Sequence, residues 1–383
     1  MHRRALCCLL TVLLASTASA AKAAKPLVIR VEAPIPLADN AGDTWVAAWA
    51  ADGAVYTPSD DTQGFHAATS SNIAFNKVSG DDVRNLRGVT VNPMSDYGKG
   101  AQKGPDGCTW KSSGCCCLDG TLYWVVVRHK YGEDTRDPQR RQTAANASII
   151  KSSDFGKTWT RAAKDNYERP MFPGSRFAAP YFVEYGQDGR ASLDNAGRYV
   201  YALSNDGFWD NGNNLVLGRV ARSKIGNLNA ADWQYYQGGD GMADSAWTAD
   251  VARASLVLDA PGKLGMNGAV YVPGLRRYIM IGWYYPAGGG KIKDACHTTH
   301  WDFYQAAKPW GPWTKISTYV SNPQGYYTPQ LCPKFTSPDG RQLFALTAGD
   351  WNQPAYYRLT VVPLHVEGAI ETLSPEEIKR SAH

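Results

Sequence analysis

Residues 152–159 read Ser-Ser-Asp-Phe-Gly-Lys-Thr-Trp and predict a tight turn that follows a strand. Asp154 is placed to accept hydrogen bonds from the main chain of its own turn. Gly156 supplies a positive φ where the chain reverses. Two isoleucines before the turn favour a strand, and Trp159 is expected to start the next strand with its ring against the sheet.

The spacing S-x-D-x-G-x-T-W resembles the Asp-box hairpin of sialidases and many other β-propellers. The resemblance implies a propeller fold. Because the Asp-box is a structural turn that carries no chemistry, it leaves the function open.

The composition agrees with an all-β chain. The sequence holds 37 Gly, 21 Tyr and 13 Trp, and turn-rich, aromatic-rich chains of this length favour sheets. The formal net charge of +5 permits an acidic substrate without requiring one. It gives no argument for a nucleic-acid partner, which would need a larger basic excess.

The N-terminus predicts a secretory signal peptide over residues 1–20. A basic His2-Arg3-Arg4 segment precedes an apolar run, and Ala18-Ser19-Ala20 matches an A-x-A cleavage site. The apolar run is too short for a membrane span. We therefore expect a secreted or periplasmic protein, a monomer with no membrane span, in which residues 21–383 form one domain.

The strand pattern repeats along the chain in five blade-like units. They lie at residues 42–78, 117–159, 177–233, 269–314 and 329–347. Further units at 80–110 or 240–270 would raise the number of blades to seven. A first strand at 27–31 is expected to pair with the last strand, at 357–366, and so to close the ring. The predicted fold is all-β, a single propeller of five to seven blades.

Six short stretches together resemble a group of secreted propellers that act on carbohydrate. This group includes glycosidase-like domains of unassigned function, ulvan lyases and rhamnose–glucuronate lyases. The resemblance implies a polysaccharide or oligosaccharide as the substrate. The stretches are residues 42–56, 64–65, 177–186, 199–207, 218–220 and 327–335.

The lyase resemblance implies β-elimination at a uronate of an acidic, plant or algal polysaccharide, and this is the main functional hypothesis. Such a reaction needs a base, an acid and a cation that neutralises the carboxylate. The resemblance places His129 as base, Tyr201 as acid and Arg219 as the neutralising cation, with Asn146 where a second histidine is expected. The competing interpretation is structural, with His129 at the end of a strand and Tyr201 in the core.

Hydrolysis is the alternative, because a glycoside hydrolase needs two carboxylates across the scissile bond. Asp43 is the best-placed carboxylate, since it begins an inner strand. Asp60, Asp61, Glu184 and Asp250 are the candidate partners. Aspartates at turns and strand ends more often cap the main chain. A non-catalytic glycan-binding propeller also stays open.

Several other residues are expected to bind the substrate. Trp45 and Tyr327 offer apolar ring faces on which sugars stack. Arg176 is a candidate for a channel-facing cation, and Asp43 and Asn146 complete the predicted substrate-binding set.

Six of the eight cysteines follow the predicted signal peptide. In an oxidising compartment we expect disulfides, with Cys108 joined to one of the three cysteines at 115–117 and Cys296 joined to Cys332. The alternative is a structural zinc site of Cys296, His297, His300 and Cys332. A structural calcium in the channel is a further alternative, although no calcium-loop motif supports it.

Overall fold

The computed structural model describes residues 27–65, 70–191 and 197–368. The predicted signal peptide lies outside these residues. No helix within the described part of the chain is long and apolar enough to span a membrane.

The strands form a β-propeller of five antiparallel blades. Two of these blades are joined into one ten-stranded sheet by a parallel pairing of their inner strands, β11 (Tyr181–Glu184) and β17 (Ala269–Val272), with Val183 opposite Ala269. Blade 1 contains β3 Asn40–Asp43, β4 Ala48–Trp49, β5 Val55–Phe65, β6 Ser71–Ser79 and β7 Arg87–Asn92; blade 2 contains β8 Thr109–Leu118, β9 Thr121–Lys130 and β10 Thr143–Ser152. Blade 3 contains β11 Tyr181–Glu184, β12 Tyr199–Asn205, β13 Asn214–Ala221, β14 Trp233–Tyr236, β15 Trp247–Thr248 and β16 Leu256–Asp259; blade 4 contains β17 Ala269–Val272, β18 Arg277–Tyr284, β19 Thr299–Ala306 and β20 Thr314–Ser321. Blade 5 contains β21 Tyr327–Leu331, β22 Gln342–Ala348, β23 Thr360–Glu367, β1 Val28–Val31 and β2 Ile35–Pro36.

The ring closes within blade 5, as the sequence predicts. β1 pairs antiparallel with β23, from Val28 opposite Glu367 to Val31 opposite Leu364. The two segments considered as further blade units, residues 80–110 and 240–270, do not form blades of their own. Residues 80–110 contain β7 and a loop, and residues 240–270 extend blade 3 with β15 and β16.

The described helices are short and lie in the connections. The one α-helix, α1, spans Ala163–Glu168. The 3-10 helices are Ser95–Tyr97, Gln187–Gly189, Ile225–Asn227, Ala230–Asp232, Asp244–Ala246, Val251–Arg253, Pro273–Leu275, Ala295–His297 and Pro333–Phe335.

The hydrophobic core lies between neighbouring blades. One cluster joins blades 1, 2 and 3 around the buried Trp124. A second joins blades 4 and 5 around Trp283 and Trp301. Two smaller clusters fill the space between blades 3 and 4 and between blades 5 and 1. Because each blade buries a face against its neighbours, the tryptophans serve mainly as packing between sheets.

The turn after β10 is held by the Asp154 carboxylate. Thr158 donates its main-chain N–H and its hydroxyl to that carboxylate at 3.0 and 2.7 Å. These bonds, the hydroxyl's first, lower the pKa of Asp154 to about 2. Gly156 has a φ of 89°. Trp159 lies after the turn but starts no strand, because only an isolated bridge at Thr160 continues the pairing.

Gly114 lets the inner strands of blades 2 and 3 approach each other. Its main-chain N–H donates to the carbonyl of Pro180 at 2.9 Å. A Cβ at this position would lie 2.6 Å from the Pro180 oxygen and 2.7 Å from the Tyr181 Cα. Since both obstacles are main-chain atoms, a side chain here cannot be accommodated by rotamer changes alone.

We expect Gly114→Ala to lower the free energy of unfolding by about 1–3 kcal/mol, because overpacking forces main-chain shifts. Chemical denaturation measures this change. Gly226→Ala is the matched control, since its Cβ would meet its nearest neighbour, Tyr123 Oη, at an ordinary 3.4 Å. Equal stability of the two variants would contradict the close approach of the strands.

Candidate functional site

Three charged and three phenolic side chains meet around the propeller axis. Their elements belong to blades 1, 2 and 5, so strands far apart in sequence bring them together. We name them the axial cluster: Asp43, Asp61, Lys111, Tyr131, Tyr327 and Tyr357.

Lys111 is the centre of the axial cluster. Its Nζ lies 2.5 Å from Asp61 Oδ2 and 3.9 Å from Asp43 Oδ1, and only 3% of its side chain is exposed. Burial by itself would lower the pKa of Lys111, but the negative charges of Asp43 and Asp61 outweigh that effect and raise the pKa well above its usual range. The amine is therefore a buried cation that depends mainly on Asp61 in direct contact, with Asp43 as a more distant partner.

The three tyrosines hydrogen-bond the two carboxylates. Tyr327 donates its hydroxyl to Asp43 Oδ2 at 2.7 Å. The Tyr131 hydroxyl lies 2.9 Å from both carboxylate oxygens of Asp61. Tyr357 lies between them, 3.3 Å from Asp43 Oδ2 and 3.1 Å from the Asp61 carbonyl oxygen. Each carboxylate is thus oriented by phenolic donors as well as by Lys111.

The two carboxylates differ in their surroundings. Burial, followed by the charge of Asp61, raises the pKa of Asp43 against the opposing effect of Lys111. Asp61 is more open, with 26% of its side chain exposed. The site therefore combines a buried carboxyl group with a raised pKa and an accessible carboxylate in direct contact with an ammonium group.

Asp61 opens into a pocket of about 670 Å³. Tyr131 and two further cations, Arg140 and Lys291, line its wall with Glu133. Volumes in this range accommodate small ligands. The pocket thus places the accessible carboxylate of the axial cluster within reach of a bound molecule.

Lys291 connects the pocket to an exposed tryptophan. Its Nζ lies 5.0 Å from the ring centre of Tyr131 and 4.4 Å from that of Trp351. Trp351 is 37% exposed. The preceding residue of the loop, Gly290, donates its N–H to the buried Asp210 at 3.0 Å. This bond holds the loop that presents Lys291.

His129 lies beside the axial cluster but is fully buried. Its ring packs edge-on against Tyr131 and Trp209, with centroids 4.8 and 5.1 Å away. Burial and the nearby Lys111 charge lower the pKa of His129 well below its usual range, so the imidazole is neutral. Because the His129 side chain has no exposed surface, its contacts are with the buried side chains around it.

The structure does not bring Tyr201 and Arg219 to His129. Tyr201 packs against Trp247 and belongs to the core between blades 3 and 4. The Arg219 guanidinium lies between the rings of Tyr199 and Trp247, 4.0 and 4.1 Å from their centres. The two residues face each other across β12 and β13. Their surroundings are those of packed side chains in blade 3.

The residues expected to bind substrate have separate positions. Tyr327 and Asp43 are bonded to each other in the axial cluster. Trp45 has no exposed surface and packs on Phe65, so it offers no face to a sugar. Asn146 accepts a main-chain bond from Gly174 at a bulge in β10. Arg176 donates to the carbonyl of Ala254, near the outer strands of blade 3.

The remaining carboxylates lie apart from the pocket. Asp60 is fully buried and ties blade 1 to blade 2, because its carboxylate accepts the main-chain N–H of Ser112 at 2.9 and 3.0 Å. Asp250 is the N-cap of a 3-10 helix and accepts the N–H of Ala252 at 2.9 Å. Both carboxylates thus accept main-chain donors, and Asp60 also lies near enough to Lys111 and Asp43 for their charges to act on its pKa, which burial raises.

Glu184 lies at the far end of β8 from Lys111. It borders a narrow cavity with Cys116, and Cys116 lies five positions along β8 from Lys111, roughly 15 Å away. Among the described residues, Glu184 Oε1 has no hydrogen-bond partner. Burial raises the pKa of Glu184 well above its usual range, so the group is held as a neutral acid.

All six cysteines in the described chain are free and buried, so the expected disulfides are not formed. Cys296 and His297 lie together with Asp350. His300 points elsewhere, with its Nδ1 3.1 Å from the Tyr284 hydroxyl. Cys332 belongs to the core between blades 5 and 1, apart from Cys296. The predicted four-residue zinc set is therefore not assembled.

Sequence reasoning missed Lys111, Tyr131, Tyr357 and Lys291. A signal for Lys111 was present, because a lysine interrupts the otherwise uncharged strand Thr109–Leu118. Charged residues inside a buried strand are rare unless they are paired. No comparable signal marked the tyrosines, which are abundant throughout the chain.

Comparisons with known proteins show the fold. No protein-family model matches the chain, and no curated protein matches its sequence. A protein of Bacteroides ovatus, to which a hydrolase function is provisionally assigned, aligns over 87% of both chains with a TM-score of 0.50 and 13% identity. RS223-β-xylosidase aligns over 90% of this chain and 96% of its own, with a TM-score of 0.47 and 13% identity. The GH43_1 enzyme of Xanthomonas citri aligns over 86% of this chain and 89% of its own, with a TM-score of 0.47 and 12% identity.

The neutral Glu184 predicts a dependence of stability on pH. Because its folded-state pKa lies above the unfolded value, its contribution is fully present below the unfolded pKa and is lost as pH rises towards the folded pKa. As pH rises above about 4.3, the wild type should lose stability relative to Glu184→Gln, by up to about 1.4 kcal/mol per pH unit.

Chemical denaturation of both proteins at a series of pH values measures this difference. Glu168→Gln, at an exposed position on α1, is the control. A constant difference between wild type and Glu184→Gln across the series would contradict the burial of a neutral acid.

Proposed function

We propose that this propeller hydrolyses glycosidic bonds of an acidic oligosaccharide or polysaccharide, bound in the pocket beside Asp61. The observation that carries the proposal is the pairing of an accessible carboxylate, Asp61, with a buried one, Asp43, on the same lysine. Glycoside hydrolases require two carboxyl groups with different protonation states. The hydrolase assignment of the similar B. ovatus protein agrees with this reaction class.

The surroundings of the two carboxyl groups assign their roles. Asp43, with its raised pKa, is the proton donor to the glycosidic oxygen as the bond to the anomeric carbon breaks. Asp61, bonded to Lys111, is the anionic carboxylate that assists the attacking water. Lys111 then stabilises the negative charge that remains on Asp43 after proton donation.

The cations around the pocket favour an acidic sugar. Lys291 and Arg140 line the wall, and both are suited to bind a sugar carboxylate. Trp351 adds an exposed aromatic face next to Lys291, on which a sugar ring stacks. A uronate-containing chain satisfies both features.

Elimination at a uronate is the second candidate. It is favoured by Tyr131, because this phenol lines the pocket with the cation Lys291 and its ring also lies 5.6 Å from the buried Lys111 ammonium. In that reaction Tyr131 would replace Tyr201 as the acid. The products differ, since elimination forms an unsaturated uronate that absorbs in the ultraviolet and hydrolysis does not.

Asp61→Asn and Asp43→Asn should each lower kcat by about 10²–10⁴-fold, the usual contribution of a general acid or base. The assay follows reducing ends released from a panel of uronate-containing polysaccharides, with ultraviolet absorbance recorded in parallel. Asp250→Asn, in an outer loop, is the control and should keep full activity. A rise in ultraviolet absorbance would show that the reaction is elimination and not hydrolysis. Activity retained by both variants would rule out Asp43 and Asp61 as the catalytic carboxyl groups.

Lys291→Ala should raise KM for an acidic substrate about tenfold, because it removes a charged hydrogen-bond donor. The KM for a neutral analogue should stay nearly unchanged. Lys293→Ala is the matched control, since Lys293 is also exposed and lies on the same loop but does not line the pocket. An equal rise in KM for both substrates would argue against recognition of a carboxylate.

A further inference from the structure

We propose that Cys296, His297 and Asp350 bind a transition-metal ion, with zinc as the preferred metal. One ligand atom from each residue lies within 4.8 Å of the others. A thiolate, an imidazole and a carboxylate are the three side-chain ligand types that zinc uses. The site is separate from the carboxylate pair of the axial cluster.

The ligands come from loops of neighbouring blades. Cys296 and His297 lie on the 3-10 turn that precedes β19 in blade 4. Asp350 follows β22 in blade 5, and its main-chain N–H donates to the Gln324 carbonyl at 2.7 Å. Each loop is anchored to its own blade, so the three ligand atoms converge where the two loops meet.

The neighbouring residues donate hydrogen bonds to the Cys296 sulfur and to the Asp350 carboxylate. Asn352 donates its side-chain amide to Cys296 Sγ at 3.1 Å and its main-chain N–H to Asp350 Oδ1 at 2.9 Å. Gln353 donates to Asp350 Oδ2 at 2.7 Å. Donors around a ligand orient its lone pairs and are typical of the outer shell of metal sites.

The histidine has the arrangement of a metal-bound imidazole. His297 Nδ1 contacts Asp350 Oδ2, on the inner side of the cluster. Its other nitrogen, Nε2, lies 3.7 Å from Asp294 Oδ1. At 3.7 Å this is an electrostatic contact and not a hydrogen bond, and a carboxylate beside the second ring nitrogen raises the basicity of a metal-binding histidine.

The donor set and its exposure define the class of metal. A thiolate selects zinc and similar ions over calcium or magnesium, which prefer oxygen ligands. Asp350 and Cys296 are buried, whereas 36% of the His297 side chain is exposed. Three protein ligands with one open side leave a fourth position for water.

The site adjoins the candidate pocket. Trp351 directly follows Asp350, and its ring contacts Lys291 of the pocket wall. A metal that joins the two loops would therefore fix the position of this aromatic face. Metal binding itself does not depend on the proposed reaction, so the two proposals fail independently.

Co²⁺ titration of the full chain, after treatment with a chelator, tests the site. Co²⁺ bound to a thiolate gives a charge-transfer band in the near ultraviolet, and competition by Zn²⁺ should remove it. We expect one equivalent per chain by this band, and one equivalent of zinc by elemental analysis of the protein purified with zinc.

Variants locate the ligands. His297→Ala, at a half-exposed position that tolerates truncation, should weaken Co²⁺ binding more than tenfold, and Cys296→Ser should abolish the band. Asp294→Asn should weaken binding about tenfold as an outer-shell change. His300→Ala and Cys332→Ser are controls that should bind as the wild type does.

Two results would overturn the proposal. The first is a folded wild type without the thiolate band at saturating Co²⁺. The second is a band that persists in Cys296→Ser, which would assign the metal to another of the buried thiols. Circular dichroism of each variant verifies that loss of binding is not loss of the fold.

Discussion

The buried ammonium of Lys111 is the constraint on which the centre of the propeller depends. A cation with 3% of its side chain exposed is stable only beside carboxylates that stay charged or share its hydrogen bonds. Asp43 and Asp61 meet this need, and tyrosines from blades 2 and 5 hold those carboxylates in place. The axial cluster therefore couples the packing of three blades to the chemistry of the pocket.

The inner strand β8 has two chemically different ends. At one end Lys111 meets carboxylates, phenols and an open pocket. At the other, Cys116 and its neighbours surround the neutral Glu184 in a narrow cavity. Between them, Ser112 and Gly114 bind the strands of the adjacent blades through main-chain hydrogen bonds. The middle of β8 thus joins the neighbouring blades, and the end that carries Lys111 lies beside the open pocket.

The pocket is assembled from loops, whereas its carboxylates stand on strands. Asp43 and Asp61 belong to the paired strands β3 and β5 of blade 1. Lys291 and Trp351 lie on connections of blades 4 and 5, which are held by the bond from Gly290 to Asp210 and by the contact between His297 and Asp350. Reactive groups on a rigid frame with binding groups on anchored loops are a common division in enzymes.

The sequence by itself determined the class of fold, the five units and the closure of the ring by β1 and β23, because these follow from local strand and turn patterns. It also placed Asp43 and Asp61 in the first unit, but Asp43 ends β3 instead of beginning a strand, and Asp61 lies within β5 and not in a loop. Only the tertiary structure decided that Lys111 joins these two residues, that Tyr201 and Arg219 pack within blade 3, and that Asp350 replaces His300 and Cys332 beside Cys296. Those groupings depend on the angle between blades and on loop paths, which set the distances between side chains on different elements, such as Lys111 and Asp43 or Cys296 and Asp350. No local pattern along the chain encodes such distances.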